Sequence, residues 1–339
     1  PDVGAVALTG LGISAPLVLI ISAFSSFAGG GGAPLAAIAL GKNDKNEAEK
    51  ILGNAFSMLT LMAVVLTIVF TLIKEPLLYL FGASDVTFNY ANDYTSIYIM
   101  GTIFVQYALG LNLFITSQGK TKNAMFSVLI GAIANIILDP IFIFGFDMGV
   151  QGAAIATVIS QTLSAIYVLR FLTSDHSIIR IRKKNMGLEI GLIKRIVSLG
   201  ISPFIMQATE SAIVIVFNTG LLKYGGDLYV GSMTIMQSIM QLLTVPVQGF
   251  AQGVQPIISY NYGAGNFKRV RETVRHSMKV TVGLTASYFL LVLFVPGLFA
   301  RIFTTNPDLL ALVTRVLPIY MGGMWLFGVQ MSAQMFFVG

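Results

Sequence analysis

The chain has 339 residues, of which 55% are hydrophobic and 11% charged, against about 25% charged in an average soluble domain. With a mean hydropathy of +0.80 this excludes a soluble globular protein; at about 20 apolar residues per bilayer span and about 10 per connection there is room for roughly ten spans. Apolar stretches of 20 to 30 residues exclude an outer-membrane barrel, and the absence of cysteine excludes disulfides, thiolate metal sites and cysteine nucleophiles.

Nine apolar stretches follow one another, at 11–40, 51–73, 89–118, 123–144, 149–172, 195–222, 228–260, 274–300 and 308–338. The expected fold is an all-α polytopic membrane protein. Pro16, Pro34, Pro140, Pro203, Pro246, Pro256 and Pro318 lie inside these stretches and mark expected kinks. No basic n-region precedes the first stretch, so a cleaved signal peptide is not expected, and the chain reads as part of a longer one. Of the 21 Lys and Arg residues, 17 fall in alternate loops around 41–50, 119–122, 170–195 and 263–279, which are therefore expected to face the cytoplasm. Topology and anionic lipid headgroups account for the basic charge, so no nucleic acid is invoked.

A shift of 222 residues aligns Gly31 with Gly253, Pro34 with Pro256, Gly41 with Gly263, Phe81 with Phe303, Tyr98 with Tyr320, Gly101 with Gly323 and Phe114 with Phe336. One ungapped offset also superposes the basic loops GKNDKNEAEK and GAGNFKRVRET. Span one then corresponds to span seven, each unit has six spans, and the two lobes are related by a pseudo-twofold axis along the membrane normal. The organisation expected is an N-lobe at 1–172 lacking its first helix, a cytoplasmic inter-lobe loop at 173–194, and a C-lobe at 195–339 lacking its last two helices. The intact protein is expected to have twelve spans with both termini cytoplasmic.

Thirteen of the 15 acidic residues lie in loops, at span ends or near the terminus. The other two are Asp139, in NIILDPIFIF, and Glu210, near the middle of its span. A midplane charge costs about 2.5 to 3.5 kcal/mol, so each is a candidate functional group, the alternative being a protonated or paired carboxyl that locks two helices. Asn135 lies four residues before Asp139 on the same helix face, and Thr157 in the next span falls at a depth within about 3 Å of it. A carboxylate, an amide oxygen and a hydroxyl suit Na⁺ or a proton, and Asp139 is the expected ligand if the ion is Na⁺. Burial favours the proton and a nearby cation favours the carboxylate, so such a site exchanges one for the other. Met236, Gln237, Met240, Gln241, Gln330 and Gln334, mixed with aromatic residues, suit a flexible wall for flat amphipathic ligands; ordinary packing is the competing reading for each. HExxH, GxSxG and SxxK are absent, so no enzyme is expected.

The stretches GGGGAPLAAIALGKNDKNEAEKILGNA, QGVQPIISYNYGAGNFKRVRETVR and NIILDPIFIFGFDMGVQGAAIATVISQ resemble the multidrug and toxic compound extrusion family, of the bacterial type, over the whole chain. The resemblance implies a twelve-span transporter of two six-helix lobes that exports lipophilic organic cations by alternating access, coupled to Na⁺ or H⁺ entry. This chain looks like spans two to ten. Asn135, Asp139 and Thr157 match the family's N-lobe cation site, and Glu210 matches the acidic position of its seventh span, for drug or proton. Two departures stand: the first-span aspartate of that site is not in this sequence, and residues 316–339 contain no acid where some Na⁺-coupled members have one. No cofactor beyond the coupling ion, a monomer, and the bacterial inner membrane are expected. The alternative is a flippase of lipid-linked glycan precursors, which the near absence of basic residues inside the spans disfavours; a channel is the third reading.

Overall fold

A computed structural model describes the backbone of residues 2–338; the side chains of residues 1–6, 8–9, 207–208, 210–212, 214–219, 221–228, 230–231 and 338–339 lie outside the described set. Every regular element among the described residues is helical. Helix α1 is Asp2–Gly41, α2 is Lys45–Leu80 and α3 is Asp85–Met100. α4 (Thr102–Gln106), a π-turn (Tyr107–Leu111) and α5 (Asn112–Ser117) follow, then α6 (Thr121–Pro140), a second π-turn (Ile141–Gly145) and α7 (Gly149–Thr173). The remainder is α8 (Ile190–Gly263), α9 (Phe267–Phe294), α10 (Pro296–Phe303), α11 (Pro307–Tyr320) and α12 (Met324–Val338).

Local chemistry explains the boundaries. Asp44 caps α2 by accepting the Glu47 N–H at 2.9 Å, and Ser84 with Thr87 forms a reciprocal capping box at the start of α3. Pro140 brings no N–H to the helical ladder and its ring clashes with the preceding turn, so the chain widens into the π-turn that directly follows it. Five helices among the described residues are long and apolar enough to cross a bilayer. The count is seven if each of two bent pairs is one span: α3 with α4–α5, bent by 62°, and α11 with α12, bent by 47°. The stretches expected at 195–222 and 228–260 fall inside α8, whose backbone stays helical through the turn expected near 223–227. No proline lies between Pro203 and Pro246, and Gly220, Gly225 and Gly226 weaken a helix without removing a donor.

The 222-residue register holds element by element. α1 and α8 end at Gly41 and Gly263; α2 and α9 begin at Lys45 and Phe267; α3 and α11 begin at Asp85 and Pro307; α4 and α12 begin at Thr102 and Met324. Asn43 and Gly265, again 222 apart, both turn the corner with positive φ, 58° and 73°. The copies differ further along: α9 ends at Phe294 and α10 begins at Pro296, whereas α2 runs through the matching Lys74 and through Pro76 unbroken.

The chain forms two compact units, Pro1–Ala208 and Thr209–Gly339. In the first, Leu52, Leu59, Leu111, Phe114, Leu172 and Ile196 are fully buried among small residues such as Ala28, Ala36 and Ala55. Lipid gives helices no hydrophobic reason to associate, so close approach of small residues supplies the packing. A Cβ on Gly31 would collide with the Ile196 carbonyl, and one on Gly200 with the Phe27 carbonyl, which brings α1 and the first part of α8 to backbone contact. Residues 174–189 are strapped to the same unit. The Gln118 Oε1 accepts Ser177 Oγ at 3.0 Å, the Ile178 N–H at 2.7 Å and the Ile179 N–H at 3.1 Å. Arg182 Nε meets Glu49 Oε2 at 2.7 Å, and Asn54 Oδ1 accepts the Glu189 N–H at 2.7 Å just before α8. These contacts gather the basic loops near 42–45, 120–122 and 180–184 at one end of the unit. In the second unit Met233, Met236, Ile239 and Leu243 of α8 pack with Val313 and Leu317 of α11, Met321 just after it and Met324 of α12.

Candidate functional site

In the first unit α6 packs against α7 and α7 against α3. The opposite face of α6 is apolar and exposed, with Ile133, Ile136, Ile137 and Ile141 turned outward, as a lipid-facing helix requires. Asp139 lies between these faces and is half-buried. The Asn135 Nδ2 donates to Asp139 Oδ1 at 3.1 Å, one helical turn away. Thr157, on α7, donates to its own helix at Ala153 O, 2.9 Å, leaving its oxygen lone pairs available. Tyr94 of α3 lies beside Thr157 and within electrostatic reach of Asp139. Asn135 and Asp139 are thus in direct contact, and the helices that carry Tyr94 and Thr157 pack beside one another.

Sequence reasoning missed Tyr94. The short turn between α6 and α7 makes those helices neighbours by chain order alone, whereas the adjacency of α3 to α7 is a long-range contact that no local pattern announces. The available signal was a tyrosine pair, Tyr94 and Tyr98, one turn apart and stacked at 6.0 Å in the folded chain. Two backbone features hold the site. The π-turn begins two residues after Asp139, and Gly152 lets α7 approach it so closely that a Cβ would lie 2.7 Å from the Phe142 carbonyl. Among the described residues no three His, Asp or Glu gather, so a cation at Asp139 would draw its other oxygens from neutral amide and hydroxyl groups.

The residues expected to form a substrate wall are divided. Met240 and Gln330 line a cavity of about 310 Å³ in the second unit, together with Tyr320, Met324 and Phe327. Met236 is in the packed cluster beside it, the Gln334 Oε1 is buried with no hydrogen-bond partner among the described residues, and Gln237 and Gln241 do not line the cavity. The Glu210 side chain lies outside the described residues.

The MatE family profile matches residues 2–141 and 203–339, both sides of the strapped loop. The chain belongs to the MatE family. Its curated relatives in that family include the multidrug export protein MepA of Staphylococcus haemolyticus, 27% identical over 328 residues, covering 95% of this chain and 71% of that protein. Among solved structures, the MATE multidrug transporter DinF-BH is 33% identical with a TM-score of 0.89, over 98% of this chain and 75% of that one. A MATE in the bent conformation shares the fold with a TM-score of 0.90 at 23% identity, over 99% of this chain and 75% of that one. Family membership and the apolar helices together make this MatE protein a multi-pass membrane protein whose relatives are transporters rather than enzymes.

Proposed function

We propose that the protein is a cation-coupled antiporter that moves lipophilic organic cations out of the cytoplasm across the bacterial inner membrane, with the basic loops and both termini of the intact protein on the cytoplasmic side. One observation carries the reading: a carboxylate within a membrane span, Asp139, held at 3.1 Å by Asn135. In a low-dielectric site such a carboxylate takes either a proton or a small hard cation, because an isolated negative charge there is costly. Loading and release of that cation then supply the free-energy difference between the two access states. Asp139, with Asn135 and Thr157, takes the coupling ion, Na⁺ or H⁺; Glu210 takes the drug or a proton. The cavity at Met240 and Gln330, with its thioethers, aromatic rings and amide, suits a flat organic cation.

Ethidium efflux from everted vesicles containing the full-length transporter, driven separately by a Na⁺ or a proton gradient, tests this. Wild type is expected to follow one gradient, and Asp139→Asn to lose at least about tenfold of the driven rate at equal protein level. Efflux by Asp139→Asn at the wild-type rate, or no organic-cation movement under either gradient, overturns the reading.

A further inference from the structure

The first turns of α2 and α9 are equivalent in the 222-residue register, and their inner faces correspond. Ala48, Ala55, Leu59 and Ala63 of α2 match Val270, Ser277, Thr281 and Thr285 of α9, and all eight are buried. The neighbouring faces differ. In the first unit Leu35 of α1 and Glu49, Ile51, Gly53, Asn54 and Met58 of α2 are buried. Their equivalents in the second unit are Ile257, Arg271, Thr273, Arg275, His276 and Val280; five are exposed and Thr273 is partly so. Ile257, Thr273, His276 and Val280 line a cavity of about 390 Å³ together with Phe250 and Val254.

In the first unit the matching space is filled by the loop after α7 and the start of α8. Ile179, Leu192 and Ile196 share one buried core with Leu35, Ile51 and Met58. Arg182 pairs with Glu49, Asn185 lies against Gly53, and the Glu189 N–H donates to Asn54. The register names the counterpart of that loop. Residues 174–189 follow α7, so their counterpart follows the last span, at about 396–411, and it leaves the membrane on the side where α9 begins because both units enter in the same direction. Relatives have length to spare there, since this chain spans 71% of MepA and 75% of DinF-BH. Charge sets what the segment carries. Arg271 stands where Glu49 stands, so the sign of the pair is reversed. Lys268, Arg271, Arg275 and Lys279 follow at spacings of three, four and four on one side of α9, none is in an ion pair among the described residues, and Glu272 is the one acid in 267–280. Arg275 also occupies the place where Asn185 reaches the Gly53 backbone, so the counterpart lies further out and meets α9 through side chains.

We propose that this face of α9 is the docking site of the chain's own C-terminal segment, the one that follows the last membrane span, with acidic side chains on Arg271 and Arg275 and an apolar side chain, at the register position of Ile179, in the cavity beside His276. A tethered segment is present at high effective concentration, so exposed ion pairs too weak to hold a separate partner are enough to hold it. It covers in the second unit what residues 177–189 cover in the first, with the charges exchanged.

Maleimide labelling of His276→Cys in the full-length protein, compared with the same variant ended directly after the last span, tests the docking; the 339 residues contain no cysteine to compete. The segment is expected to slow labelling on the order of tenfold, while Lys183→Cys, at an exposed position of the first unit, labels equally fast with and without it. R271E/R275E in the full-length protein is expected to release the segment and bring His276→Cys to the faster rate, a comparison that does not depend on the shortened protein folding. Equal labelling of His276→Cys with and without the segment overturns the proposal, as does protection that survives R271E/R275E, or a segment that contains no Asp or Glu.

Discussion

The corner between α1 and α2 and the corner between α8 and α9 start from one sequence pattern and have different surroundings. Both turn on a residue with positive φ, both begin the next helix 222 residues apart, and both bury the same four positions of that helix. Yet Gly31 at the first corner touches backbone while its equivalent, Gly253, has nothing within 4 Å; Glu49 is buried in an ion pair while Arg271 is exposed. An internal repeat therefore constrains the backbone path and the face each helix turns to its own unit. The remaining faces of the first corner are shaped by residues 174–200, which pack against it.

The largest expected effect separates the two glycines. Gly31→Ala forces a Cβ into the Ile196 carbonyl, and neither backbone can yield without moving a helix, so it is expected to cost about 3 kcal/mol or more. Gly253→Ala meets no neighbour among the described residues and removes a flexible residue from a helix interior, so in this chain it is expected to stabilise by about 0.5 to 1 kcal/mol. Thermal unfolding of the two variants in detergent checks both signs; equal destabilisation would mean that the corners are packed alike.

The ion pair comes next. Arg182→Ala leaves Glu49, 3% exposed, buried without its partner, while Arg182 itself is 46% exposed and partly solvated. The expected loss is about 2 kcal/mol, below the full penalty of a pair buried on both sides. Arg271→Ala at the equivalent α9 position is expected to change the stability of this chain by less than about 0.5 kcal/mol, because it is exposed and in no ion pair among the described residues. Amide exchange supplies a local readout: Arg182→Ala should speed exchange at Ile178, Ile179 and Glu189, whose N–H groups are tied to Gln118 and Asn54, and leave α9 unchanged.

This contrast also marks how far the sequence could be read. Hydropathy and the 222-residue offset were enough for the all-helical class, the repeat and the approximate place of most helices, because apolar runs and the matching glycines and prolines recur at fixed positions. Asn135 and Asp139 were legible as a pair because four residues is one helical turn. Tyr94 was not, since contact between α3 and α7 depends on packing of distant segments. The strap was not legible either: Gln118 and Asn54 are ordinary polar residues until the chain at 177–189 brings its unpaired N–H groups to them.

The smallest expected effect concerns helix caps, where the two copies should agree at one pair of positions and differ at another. Ser84 and Asn306 are equivalent and both cap: Ser84 accepts the Thr87 N–H at 3.3 Å, and Asn306 accepts the Asp308 and Leu309 N–H groups at 2.9 and 3.2 Å. Ser84→Ala and Asn306→Ala are each expected to cost about 1 kcal/mol. Asp44 and Asn266 are also equivalent, but only Asp44 accepts a helix N–H, so Asp44→Ala is expected to cost about 1 kcal/mol and Asn266→Ala only a few tenths. Thermal midpoints of the four variants check this. A cost for Asn266→Ala equal to that of Asp44→Ala would mean that Asn266 caps α9 after all, and that the difference between the corners begins only beyond the first helical turn.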